Sequence, residues 1–235
     1  MKYSWKLDSF DSEVFGFKVV RVETIDSENV KDLIKDLIKN KVKYATHRVQ
    51  SNNFSTIHAL EESGFILVDG LITFKINISN LEIEESVGHV REGNNDDLRE
   101  LKNLTSGLFS TGRIMNDPFI PKDKGNQFYI KWIENSILGK VAESVLVWEE
   151  NKEILGYITL KKKGQISLVG VSPQSRGKGI AKNLIKASLK KFKAWKLDEI
   201  IVETQMDNIS AIRLYQDCGF KVVNSFLTLR WAKDD

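Results

Sequence analysis

Val169-Gly-Val-Ser-Pro-Gln-Ser-Arg-Gly-Lys-Gly-Ile-Ala181 reads as a strand that runs into a glycine loop and then into a helix. Leu168, Val169 and Val171 are apolar and β-prone, and Pro173 stops the strand by removing a ladder donor. The helix, from about Ile180 to Trp195, carries Leu184, Ile185, Leu189 and Phe192 on one face. Between strand and helix, Gly177 and Gly179 permit positive φ and close approach of the backbone to a ligand. The N–H groups of Ser175, Arg176, Gly177, Lys178, Gly179, Ile180 and Ala181 are expected to point into one concavity at the positive end of a helix dipole. That is a site for a phosphate or pyrophosphate.

The spacing decides which glycine loop this is. A Walker loop needs four residues between its glycines and then Lys-Ser/Thr, which are absent. A dinucleotide fingerprint needs a third glycine where Lys182 stands, too large for close helix–strand packing. What remains is Gln174-x-x-Gly177-x-Gly179. It resembles the Q/R-x-x-G-x-G/A signature of the Gcn5-related N-acetyltransferases (GNAT), whose loop holds the pyrophosphate of acetyl-CoA. Asn208-Ile-Ser-Ala-Ile-Arg-Leu-Tyr-Gln-Asp-Cys-Gly-Phe220 resembles the family's second signature, N-x-x-A-x-x-L-Y-x-x-x-G-F, in the expected order. The resemblance covers about Glu92 to the C-terminus. It implies an α/β fold with a mixed sheet, acetyl-CoA as co-substrate and direct transfer to an amine.

Thioester aminolysis needs a neutral amine, a stabilised oxyanion and a protonated thiolate. By the resemblance, a backbone N–H of Val169 or Val171 binds the thioester carbonyl, the same strand edge pairs with the pantetheine arm, and Tyr215 is the general acid. Tyr215 also suits a core aromatic with its hydroxyl at the surface. Asn208 opens the second signature, where it caps a helix and joins the cofactor site. The strand before the glycine loop, Gln165 to Val171, carries no carboxylate, so Glu203 on the next strand is the candidate base, directly or through water. An outward-facing surface glutamate is the competing reading. His89 reads as structural, His47 and His58 lie outside the matched region, and Cys218 as an acyl carrier is disfavoured at its helix end. No His/Cys/Asp cluster has metal-ligand spacing, so no metal is expected.

The chain has 235 residues, 41% hydrophobic and 29% charged, the composition of an ordinary globular protein. A net charge of +3 does not argue for nucleic acid or a membrane surface. One cysteine cannot form an internal disulfide, and the N-terminus is acidic rather than signal-like. A cytoplasmic location is expected, and a homodimer is left open.

A repeat lies in the sequence. Setting Arg48–Lys75 against Glu203–Arg230 superposes Gln50 on Gln205, Asn53 on Asn208, Ser55 on Ser210, Gly64 on Gly219, Phe65 on Phe220 and Val68 on Val223. Leu60 stands where the second copy has Tyr215, and the first copy has no glycine loop. The expected organisation is therefore a smaller degenerate GNAT-like half domain over residues 1–82, then a catalytic domain over 88–235, starting with a strand at Val87, His89 and Arg91. In the first part, Asp8 to Glu13 reads as an acidic turn and Phe15 to Val22 as a strand. Gly107 to Asn126 reads as a long functional loop before a helix at Phe128–Leu138.

The whole layout resembles the dTDP-fucosamine acetyltransferases more loosely, through the Phe-Gly turn near residue 16, the half-fold and Phe109-x-x-x-Arg113-x-x-x-Asp117-Pro118. This implies a nucleotide-linked 4-amino-4,6-dideoxy sugar as acceptor, with Arg113 on its phosphates and Asp117 beside it. A loop salt bridge between the two is the competing reading. A peptide or protein N-acetyltransferase and a non-catalytic acyl-CoA-binding module are the alternative functions.

Overall fold

In the computed structural model, which describes residues 2–86 and 88–233, ten strands form one mixed sheet in the order β1-β2-β3-β10-β4-β9-β8-β7-β6-β5. The first half runs β1 (Tyr3–Leu7), α1 (Ser9–Phe15), β2 (Val19–Ile25), α2 (Val30–Lys39), β3 (Tyr44–Gln50), α3 (Phe54–Glu62) and β4 (Ile66–Asn77). The second runs β5 (Val90–Glu92), α4 (Leu98–Thr105), α5 (Arg113–Asn116), α6 (Lys122–Ile137), β6 (Ser144–Glu150), β7 (Glu153–Lys161) and β8 (Gln165–Val171). It ends with α7 (Ile180–Ala194), β9 (Glu199–Gln205), α8 (Ile209–Asp217) and β10 (Lys221–Ala232).

Three sequence expectations change. Residues 9–15 are helical, because the Asp8 side chain accepts from the Asp11 N–H as an N-cap and Gly16, at φ 80°, closes the C-terminus. Phe15 therefore ends α1, and the strand begins only at Val19. The stretch read as one long loop contains α5 and the first turns of α6. Gly125 sits inside α6 because a Cβ there would stand 2.8 Å from the Ile114 carbonyl oxygen of α5. The short strand β5 begins at Val90; Val87, expected to start it, lies outside the described residues.

The internal repeat is visible as an exchange of strands. The C-terminal strand β10 lies between β3 and β4, and β4 lies between β10 and β9. The registers obey the sequence offset: Phe226 faces Gln50 as Leu71 faces Gln205, and Thr228 faces Arg48 as Thr73 faces Glu203. Phe226 and Leu71 face each other, so a local twofold axis passes through that pair. The β10–β4 ladder skips Val223 on one strand and Val68 on the other, which are equivalent positions. The coincident Asn and Ser residues are caps: Asn53 accepts from Thr56 N–H and Ser55 Oγ, and Asn208 from Ala211 N–H and Ser210 Oγ. Gly64 (φ 88°) and Gly219 (φ 86°) both end their helices in the left-handed region.

The helices form two layers. α2 and α3 cover one face through Leu33, Leu37 and Leu60 against Val20, Ala45 and Leu229. α7 and α8 cover the same face further along, through Leu184, Phe192 and Tyr215 against Phe74, Ile158 and Ile200. α1, α4, α5 and α6 pack on the opposite face around Tyr44, Tyr157, Leu101 and Ile133. Because β10 supplies Leu229 and Trp231 to the core of the first half, each half is completed by the other. A chain ending at Phe220 is expected to lose the cooperative unfolding transition of both halves, as checked by circular dichroism on heating.

Candidate active site

β8 and β9 pair in parallel at only two positions, Gln165 with Ile201 and Ile166 with Val202, and then separate. On its other edge β8 stays bonded to β7: Ser172 N–H donates to the Leu155 carbonyl (2.8 Å) and Leu168 N–H to Thr159 Oγ1 (2.9 Å). Strand alternation therefore turns the N–H groups of Val169 and Val171 toward the gap. Ser167 Oγ, in the same gap, is buried without a hydrogen-bond partner among the described residues. Gly170 lets β8 lie here, since a Cβ would stand 2.7 Å from the Tyr157 ring and 2.8 Å from Leu108.

The glycine loop sits at the mouth of the gap. Gly177 (φ 78°) and Gly179 (φ 81°) adopt the left-handed region, which costs a non-glycine residue roughly 1–2 kcal/mol. Ser175 and Arg176 spend their N–H groups on the turn, donating to the carbonyls of Ser172 and Pro173. The free row therefore starts later than the sequence suggests: from Gly177 to Lys182 no backbone N–H has a backbone acceptor among the described residues. Gln174, Arg176 and Lys178 are exposed around it, and the first turn of α7 has no acidic residue. The arrangement is a cationic nest at a helix N-terminus, suited to a pyrophosphate.

A cleft of 1590 Å³ joins this nest to the face of the sheet beneath α5 and α6. Tyr215 lines it from α8, 5% exposed and packed on Phe74 and Phe220 at ring distances of 5.7 and 6.0 Å. Burial, with Cys218 beside it, raises the phenol well above its ordinary range, so the group stays protonated and has a proton to donate. Burial likewise raises the Cys218 thiol, which removes the thiolate a covalent route needs. Asn208 lines the cleft but spends its side-chain oxygen on the α8 cap.

Glu203 faces the cleft, held by Arg48 Nη1 at 3.0 and 3.1 Å and by Thr73 Oγ1 at 3.1 Å. It is therefore neither an outward surface glutamate nor a free carboxylate. Arg113 also lines the cleft and donates to Asp11 Oδ2 at 2.6 Å, leaving Arg113 Nη1 and Asp11 Oδ1 buried without partners. Asp117 does not reach the cleft and does not pair with Arg113. It is 2% exposed and takes two hydrogen bonds from Arg230 (2.9 and 3.0 Å) and one from Tyr44 (2.8 Å). The expected substrate contact is thus a buried tie between the loop region and β10.

Asp69 of β4 also lines the cleft, and the sequence reading missed it. Burial pushes its carboxyl up to about 6, against the Arg113 backbone N–H and the charges of Arg113 and Arg48. The signal was present in Ile66-Leu-Val-Asp-Gly-Leu-Ile72, where a carboxylate interrupts an apolar strand. Among the described residues, no group of three or more His, Cys, Asp or Glu side chains is arranged to hold a metal, and no helix of theirs is long and apolar enough to cross a membrane.

Residues 109–220 match the model described as the acetyltransferase (GNAT) family, and the chain carries a domain of that family. Among known proteins it is similar to the spore coat polysaccharide biosynthesis protein SpsD of Bacillus subtilis, 28% identical over 133 residues. That alignment covers 55% of this chain and 46% of SpsD, so the chain spans about half the length of that relative. It is similar to the dTDP-fucosamine acetyltransferase of Escherichia coli O6:H1, 26% identical over 180 residues, 74% of this chain and 75% of that protein. An N-alpha-acetyltransferase of Saccharolobus solfataricus is 32% identical over 103 residues, 43% of this chain and 60% of that one. The fold is shared with a GCN5-related N-acetyltransferase from Sphaerobacter thermophilus, at a TM-score of 0.66 and 15% identity, covering 98% of this chain and 76% of the other. A tandem GNAT protein from the clavulanic acid biosynthesis pathway shares it at a TM-score of 0.59 and 10% identity, over 92% and 76% of the two chains.

Two outcomes are expected from these contacts. Asp117→Ala strands a buried guanidinium and should cost about 3–5 kcal/mol in urea unfolding. Asp69 has its folded pKa raised to about 6 from 3.8, so between these values the native state binds more protons and stability falls as pH rises. Asp69→Asn should therefore melt higher than the wild type above pH 6, and the gap should close below about pH 4.

Proposed function

We propose that the protein is an acetyl-CoA-dependent N-acetyltransferase that transfers the acetyl group directly to the amine of a small molecule. One observation carries the reading: the open edge of β8, the unbonded N–H row at the start of α7 and Tyr215 all face the same cleft. The pantetheine arm pairs with β8 as an added strand, and the pyrophosphate binds the N–H row. The N–H of Val169 or Val171 receives the thioester oxygen as charge develops on it. Tyr215 then protonates the departing thiolate.

A nucleotide-linked 4-amino-4,6-dideoxy sugar is our leading acceptor. The similarity to dTDP-fucosamine acetyltransferase and to a protein of polysaccharide biosynthesis favours it. So does the far end of the cleft, which Phe10, Phe109, Phe128, Tyr129 and Trp132 line with aromatic surface that a base would pack against. Arg113 Nη1 and Asp11 Oδ1 supply a donor and an acceptor for phosphate and hydroxyl groups there. Peptide N-terminal acetylation is the second reading, favoured by the similarity to N-alpha-acetyltransferases.

We also read residues 1–82 as a non-catalytic copy and 88–235 as the catalytic part. In the first copy, Asp26-Ser-Glu-Asn29 stands between β2 and α2, where the second has its glycine loop, and its Asp26 and Glu28 would repel a phosphate. The single cysteine suits a reducing cytoplasm.

Thiol release from acetyl-CoA, measured with dTDP-4-amino-4,6-dideoxygalactose, simple amines and N-terminal peptides, tests the reading. Turnover is expected with the nucleotide sugar, falling roughly 10²-fold or more in kcat for Tyr215→Phe while acetyl-CoA affinity holds. Turnover with peptides alone would reject the sugar acceptor.

A further inference from the structure

An amine must lose a proton before it attacks, and the register of the sheet shows which carboxylate is level with the reacting groups. β8 pairs with β9 through Ile166 and Val202, and β9 pairs with β4 through Glu203–Thr73 and Gln205–Leu71. Counting on in steps of two gives three rows across the gap. Ser167, Glu203 and Thr73 share the first; Val169, Gln205 and Leu71 the second; Val171, Asp207 and Asp69 the third. At 3.3 Å per residue the third row lies ~13 Å along the strands from the first. Glu203 is thus level with the narrow base of the gap. Asp69 is level with the N–H group of Val171 and with the glycine loop that follows it, and Val169 lies one row from each carboxylate.

The partners of the carboxylates point the same way. Among those lining the cleft, Asp11 is paired with Arg113, Glu23 with Lys6 and Glu203 with Arg48. Asp69 and Asp207 have no ion pair among the described residues, and Asp207 is exposed whereas Asp69 is partly buried. Asp69 is fixed by its place in β4, opposite Thr228 of β10 and next to the bulge at Val68. The backbone N–H of Arg113, on α5, favours its ionised form. The charged and titratable groups facing it are Arg113 from α5, Arg48 from β3, Asp207 after β9 and Tyr129 from α6.

We propose that Asp69 is the general base of the transfer, taking the proton of the acceptor ammonium. The inference rests on the acetyltransferase reading and adds to it a residue from the half that lacks a cofactor loop. The acceptor binds as R–NH3+, and one proton passes to the Asp69 carboxylate, leaving a lone pair on nitrogen. That pair forms the C–N bond to the thioester carbon while the carbonyl electrons move to oxygen. The intermediate collapses, the C–S bond breaks, and the thiolate leaves with its electron pair and takes a proton from Tyr215. The nitrogen, now an amide, loses its second proton, which restores Tyr215. The net products are the acetamide, CoA thiol and one proton released to water from Asp69. A carboxyl that titrates at about 6 is largely ionised at neutral pH and still basic enough to accept that proton.

The test is thiol release from acetyl-CoA with dTDP-4-amino-4,6-dideoxygalactose, followed from about pH 5 to about pH 9, for wild type, Asp69→Asn, Asp69→Glu and Glu203→Gln. Acetyl-CoA affinity is measured in parallel by calorimetry. In the wild type, kcat/KM should rise with pH through about 6. Asp69→Asn should lower kcat roughly 10²–10⁴-fold and erase that limb, with acetyl-CoA affinity unchanged, and Asp69→Glu should keep a displaced limb. An Asp69→Asn enzyme with wild-type rate and limb, or a limb erased by Glu203→Gln instead, would overturn the assignment. If Asp69→Asn fails to fold, Asp69→Glu decides, since an undisplaced limb also overturns it. A folded wild type that binds acetyl-CoA but turns over neither this sugar, simple amines nor peptides rejects the acetyltransferase reading itself, and this inference with it.

Discussion

Two strands that pair and then part are the constraint on which the site depends. After Ile166 and Val202, β8 and β9 no longer share hydrogen bonds, and β8 is left with a half-used edge inside a folded sheet. An unpaired backbone edge in a protein interior is costly unless something fills it, and an extended amide-bearing chain is the natural partner. The same parting creates room for the N-terminus of α7 to point its free N–H groups at the gap. Tyr157 and Leu108, pressed against Gly170, hold β8 in place from below.

The exchange of β4 and β10 determines what faces that gap. Were each half a closed unit, the cofactor side would meet only its own residues. With β4 lying against β9, Asp69, Leu71 and Thr73 share a face with Glu203 and Gln205. With β10 lying against β3, Thr228 brings Arg48 to the same face. The ion pair between Arg48 and Glu203 joins two positions related by the repeat itself. The first half thus contributes Arg48, Asp69 and Leu71 to a cleft lined mainly by the second.

Buried charge is handled differently at the two ends of the loop region. Asp117 is fully engaged by Arg230 and Tyr44, which anchors the segment before α6 to β10. Arg113, four residues earlier, keeps one nitrogen unused beside an unused oxygen of Asp11. Satisfied buried pairs hold a fold in place, whereas unsatisfied ones at a cleft leave bonding capacity for a ligand.

Much of this was legible in the chain. The glycine loop, the helix after it, the caps at Asn53 and Asn208 and the repeat all follow from local rules, because positive φ, capping and periodicity are decided within a few residues. The helix at Ser9–Phe15 was hidden in an acidic run read as a turn, although Asp8 and Gly16 are its cap residues. What no local rule could give was pairing between distant strands. Asp69 interrupts an apolar strand and drew no reading, and Asp117 was read as a loop residue beside the substrate. The first enters the cleft and the second leaves it only because β10 crosses into the other half. The sequence by itself determined the glycine loop and its helix, since those depend on φ angles and side-chain size at single positions. The tertiary structure alone decided which carboxylates line the cleft, since register and strand exchange are set by contacts across about 155 residues of chain.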